Sequence, residues 1–137
     1  IYTLSLHDAL PISKNPLSDI ADYFERIEII KNLNSPSLCE NANRVIRIIK
    51  EASAGTIEEK YFVEPIEKTL YNEIMNIKEN VDYKAYLIQL EQLNPTVTKF
   101  FDDVLVMDKD ENIKQNRISL LAKLKNKYDY IADFSKI

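Results

Sequence analysis

Three groups of side chains in this 137-residue sequence have types and spacings that bear on chemistry. The first is acidic: Glu58-Glu59 and Asp102-Asp103 are adjacent carboxylate pairs. Shared acid–base work needs both carboxylates aimed at one substrate, and neighbours on a helix point about 100° apart. Neither pair therefore reads as catalytic. The second is the single cysteine, Cys39, in the first turn of an expected helix, where a helix N-terminus can lower a thiol pKa. No histidine stands nearby in the sequence to activate it, so a buried or inert thiol is expected.

The third group is basic. Arg44, Arg47 and Lys50 fall on the side of one helix opposite its Leu38/Val45/Ile49 stripe. That spacing suits a short electrostatic track for a phosphate backbone, although an ordinary solvated helix face looks the same. Asn43 lies beside Lys50 and can add hydrogen bonds. On the last helix Arg117 falls inside the arc of Ile113, Leu120, Leu124, Tyr128 and Ile131. A guanidinium on a core stripe must find a carboxylate or carbonyls, and Asp102 or Asp103 on the preceding helix is the expected partner. Lys114 and Lys125 lie on one flank of this helix, Lys123 and Lys127 on another. Tyr61 and Phe62, in an irregular stretch after Gly55, are the aromatics least committed to a core, and unpaired bases stack on such rings. The candidate RNA-binding residues are thus Asn43, Arg44, Arg47, Lys50, Tyr61, Phe62, Lys114 and Lys123. No catalytic residue and no metal ligand is assigned.

The elements that must position these residues are helices. Apolar residues recur at helical spacing from Pro16 to Lys31 and from Pro36 to Ser53. Gly55, the only glycine, stands where the second helix would stop. Pro65 opens a third helix, Asp82 caps a fourth, and Asn94-Pro95 reads as the start of a short fifth through Val104. The run Val104–Met107 is compatible with a strand but has no evident partner. Asp110 caps a last helix from Glu111 to about Ala132. The fold class expected is all-α, an antiparallel bundle of about six helices.

Composition agrees. One glycine argues against a turn-dense sandwich and against a phosphate-cradling loop. No run of apolar residues is long enough to span a membrane. The net charge is −4, so nucleic-acid binding needs a local basic face. Residues 1–13 differ in character from the rest and read as one translated frame of a common DNA-sequencing adapter, whose codons spell Ile1 through Ile12. They are expected to be a non-native, disordered leader. That removes His7, the only histidine, and Asp8, leaving 18 basic against 21 acidic side chains. Residues 14–137 are expected to be a helical domain cut from a longer chain.

Phe100-Phe101-Asp102-Asp103-Val104-Leu105-Val106-Met107, followed by Asn116-Arg117 and Leu120-Leu121, resembles the C-terminal end of the β subunit of bacterial glycyl-tRNA synthetases. Asn43-Arg44-Val45, Glu64-Pro65 to Leu70-Tyr71, and Ala132-Asp133-Phe134-Ser135 extend the resemblance over roughly residues 41–137. It implies a helical anticodon-binding domain, similar to the one that ends arginyl-tRNA synthetases. It also implies a cytoplasmic enzyme of two α and two β chains that joins glycine to its tRNA. ATP and Mg would then be used by the whole enzyme, at the α subunit, with no cofactor in this fragment. The partners implied are glycine tRNA, the α subunit and the remainder of the β subunit. The alternatives are the anticodon domain of an arginine-specific synthetase and a helical protein-interaction module without RNA.

Overall fold

The computed structural model describes residues 16–33, 35–50 and 55–134. The expected leader and the expected last turn of the second helix, at 51–53, lie outside the described residues. Five α-helices are formed: α1 (Pro16–Lys31), α2 (Pro36–Ile49), α3 (Pro65–Met75), α4 (Tyr83–Asp103) and α5 (Glu111–Asp129). A 3-10 turn at Glu59–Tyr61 precedes α3, and no strand occurs among the described residues. No helix among them is long and apolar enough to cross a membrane.

The helix starts follow local chemistry. Asp82 accepts from the Ala85 amide at 2.7 Å, and Asp110 accepts from the Asn112 amide at 2.9 Å and from that of Ile113 at 3.3 Å. Each satisfies amides that a first turn leaves without helical partners. Pro36 and Pro65 sit at first-turn positions, where no amide hydrogen is needed.

Two boundaries differ from the sequence reading. The expected fourth and fifth helices are one, because α4 runs through Pro95. Proline removes an amide and crowds the preceding turn, but here the packing is continuous on both sides. Leu90, Leu93, Val97 and Phe100 are all buried along one stripe of α4. Asn94, directly before the proline, is buried as well. Its side chain accepts from Asn41 Nδ2 at 2.8 Å and donates to Ser37 Oγ at 2.8 Å, tying α4 to α2. The second difference is the end of α2, which comes at Ile49. The residue with positive φ is Lys50, at 53°, and not Gly55. Gly55 instead approaches α5, where its amide donates to Ser119 Oγ at 3.2 Å. A Cβ at that position would lie 3.1 Å from the same oxygen.

α4 packs against α2 and α3, and α5 packs against the same two, so α2 and α3 lie across the bundle from each other. α1 lies outside on α4. Arg26 of α1 forms an ion pair with Asp22 (3.0 Å) and donates to the Tyr83 hydroxyl, which in turn donates to Asp22. The core is one apolar cluster from Ile30 to Phe134. Val104–Met107 is an extended connector without a strand partner. Val104 and Val106 are buried, while Leu105 and Met107 are 71% and 51% exposed.

Candidate nucleic-acid interface

The basic residues of α2 sit on its outer face because Leu38, Ala42, Val45 and Ile49 take the inner one. Arg44, Arg47 and Lys50 are all exposed. None forms an ion pair with another described residue. Arg44 lies at the α4 edge with its guanidinium 4.4 Å from the centre of the Phe101 ring. This cation–π contact holds the head group in place while leaving its donors free. Asn43 is half-buried and donates to the Cys39 carbonyl at 2.9 Å. The stretch from Pro36 to Lys50 carries a net charge of +2, in a chain whose total is −4.

The other candidates are dispersed. Tyr61 and Phe62 are half-buried at the 3-10 turn, which packs on α5. Lys60 lies 5.1 Å over the Tyr61 ring, and Phe62 is 5.8 Å from the ring of Tyr71. No hydrogen bond or ring contact joins either to the α2 trio. Lys114 and Lys123, both half-buried, are nine residues apart on α5 and so point to opposite sides of it. Lys125 and Lys127 are paired with Asp129 (2.6 Å) and Glu79 (3.0 Å). Asn43, Arg44 and Arg47 share the outer side of α2, and Lys50 follows its last residue with a left-handed backbone, off the helical spacing that the sequence predicted for it.

Arg117 is 4% exposed, and its partner is not the expected one. Asp102 and Asp103 are exposed, and Asp103 pairs with Lys99 at 2.9 Å. Arg117 Nε instead meets Glu67 Oε1 of α3 at 2.9 Å. Its NH1 donates to the Leu105 carbonyl at 2.7 Å and to Asp108 at 3.3 Å. Glu67 is fully buried, and its Oε2 accepts from the amides of Val63 and Glu64, both at 2.8 Å. Asp102 and Asp103 close a helix that ends facing solvent, whereas Glu67 is turned inward at the first turn of α3. The missed residue had a signal: Glu64-Pro65-Ile66-Glu67 places an acid at the third position of a helix, where it can reach back to the preceding amides. Beside Arg117, Asn116 accepts from the Glu58 amide at 2.8 Å and fixes the approach to the 3-10 turn.

Residues 38–128 match the family model of the DALR anticodon binding domain. The chain belongs to the DALR anticodon-binding domain family. Its relatives include the glycine--tRNA ligase beta subunits of Thermodesulfovibrio yellowstonii, 41% identical over 69% of this chain, and of Aquifex aeolicus, 40% identical over 80%. That of Clostridioides difficile is 34% identical over 92% of the chain. The chain spans 15%, 16% and 20% of the length of these three relatives. The DALR match begins within α2 and ends in the last turn of α5, so it takes in the basic face and the Glu67–Arg117 centre together. Within the DALR domain, three segments singled out in the sequence meet at that centre: Glu64–Tyr71 through Glu67, Phe100–Met107 through the Leu105 carbonyl, and Asn116-Arg117.

The remaining reactive groups are quiet. Burial pushes the Cys39 thiol above its ordinary value, the opposite of an activated nucleophile. Among the described residues no His, Cys, Asp and Glu side chains group in a way that could hold a metal ion.

Proposed function

We propose that this DALR domain binds the anticodon arm of glycine tRNA as the tRNA-handling end of a glycine–tRNA ligase β subunit. Arg44, Arg47 and Lys50 contact phosphates along the outer face of α2, with Asn43 adding hydrogen bonds. The observation that carries this is that two exposed cations share the outer face of α2 and a third stands at its end, all without an ion-pair partner among the described residues, in a domain that is otherwise acidic. Tyr61, Phe62, Lys114 and Lys123 are secondary contacts at the periphery. The Glu67–Arg117 pair sets the relative position of α3, α5 and the α4–α5 connector and does not itself touch RNA. Charging of the tRNA, with ATP and magnesium, belongs to the whole cytoplasmic enzyme of two α and two β chains; this domain catalyses nothing alone.

Binding of glycine tRNA at two salt concentrations, against the same tRNA with an altered anticodon, tests the reading. Salt-sensitive binding that falls with the altered anticodon is expected. A folded domain whose affinity is indifferent to both salt and anticodon would sink it. One observation favours protein docking as a second reading: exposed Leu105 and Met107 stand among the acids Asp102, Asp103, Asp110 and Glu111, a surround that repels phosphate.

A further inference from the structure

The seam between α2 and α4 keeps one constant offset. Asn94 Nδ2 donates to Ser37 Oγ at 2.8 Å, and Asn41 Nδ2 donates to Thr98 Oγ1 at 2.9 Å; each pair is 57 residues apart in sequence. Arg44 and Phe101, whose guanidinium and ring meet at 4.4 Å, stand at the same offset. The three contacts are successive rungs, a helical turn apart, between two helices that run in the same direction. A further bond, from Asn41 Nδ2 to Asn94 Oδ1 at 2.8 Å, joins the first rung to the second. Both asparagines are buried, among apolar neighbours on their helices such as Leu38, Ala42, Leu93 and Val97. Apolar burial is non-directional and tolerates a slide. A buried asparagine must find its partners, and so selects one register. By helical spacing, a slip of one turn would set Glu40 or Ile48 at Phe101 in place of Arg44.

We infer that Asn41 and Asn94 are positioning residues for RNA binding: they fix the register of α2 on α4 that seats Arg44 on the Phe101 ring. Neither asparagine touches RNA. The ring is itself held, since Phe101 is buried and packs edge-on against Phe100 at 5.7 Å. A guanidinium resting on a fixed ring has less side-chain freedom to lose when a phosphate arrives, which favours binding without any added contact. This inference rests on the phosphate-contact reading of α2 above.

The first test needs no RNA. An aromatic ring current displaces the NMR resonance of the Arg44 Nε–H, and Phe101→Leu defines its undisplaced position. Asn41→Ala and Asn94→Ala should each move the resonance most of the way to that position. Thr98→Val, which removes a single acceptor, should move it part of the way. The second test measures binding of a glycine anticodon stem-loop to this 137-residue chain at 50 and 200 mM salt. Loss of one single-strand phosphate contact lowers the salt slope by about 0.7, so this fourfold step should weaken binding about 2.6-fold less in Asn94→Ala than in wild type. In an Arg44→Ala background, Asn94→Ala should change the salt response no further. A resonance that stays put in folded Asn41→Ala or Asn94→Ala chains, or in Thr98→Val if those two fail to fold, would overturn this inference alone. So would a moved resonance with a wild-type salt response. Arg44→Ala with an unchanged salt response would overturn the phosphate contact at Arg44 and this inference with it.

Discussion

Arg44 and Arg117 are the same side chain under opposite conditions. Arg44 spreads over the Phe101 ring at the surface, and no described acid pairs with it. Arg117 is nearly closed to solvent and divides its donors among Glu67, Leu105 and Asp108. An exposed guanidinium costs little to keep and stays available to a phosphate. A buried one must be matched on every side, because its charge has lost water. What surrounds each arginine, and not its chemistry, divides binding from architecture. The same division explains how a domain of net negative charge can offer a basic face. Several of its other cations, including Lys99, Lys125 and Lys127, are already engaged by acids.

The comparison breaks first at the buried centre. Glu67→Ala should cost about 3–5 kcal/mol by stranding Arg117, and a thermal melt should show Tm lower by more than about 10 °C. Glu67→Gln combined with Arg117→Met should cost less than that single change, since no charge then remains buried. A double variant as unstable as Glu67→Ala would refute this account of the centre. Below the melting range, these variants should bind RNA as tightly as wild type.

On the exposed face the pattern inverts. Replacing Arg44, Arg47 and Lys50 together by alanine should leave helix content intact and lower RNA affinity. The slope of log affinity against log salt should shrink by about two, since each single-strand phosphate that a cation neutralises adds near 0.7 to it. An unchanged slope in a titration series would move the RNA-binding face elsewhere. Smaller still is Arg44→Ala alone, which should remove about 0.5–1 kcal/mol of cation–π stabilisation in denaturant melts. Smallest is Cys39, whose thiol should alkylate more slowly in the folded chain than in the denatured one. Equal rates at pH 8 would contradict its burial.

Much of this was legible in the sequence, and the failures share a cause. Helical spacing placed α1, α2, α3 and α5, and the arc through Leu120 and Leu124 marked Arg117 as a charge in a core. The partner of that charge lies fifty residues away on α3, while Asp102 and Asp103 were near in sequence and wrong in space. Proximity along the chain was the only guide, and tertiary packing overrode it. Asn94-Pro95 misled in the same way. Locally it is a helix start, but the Asn41–Asn94–Ser37 hydrogen bonds and a continuous apolar stripe carry α4 through it.

α4 also keeps two surfaces of the domain apart. Gln92 stands on the α3 side and Phe101 beneath Arg44 on the α2 side, nine residues along one uninterrupted helix. At 1.5 Å and 100° per residue they stand about 14 Å apart along the axis and on opposite sides of it. A strand held at Arg44 must therefore pass round α4 to reach Gln92.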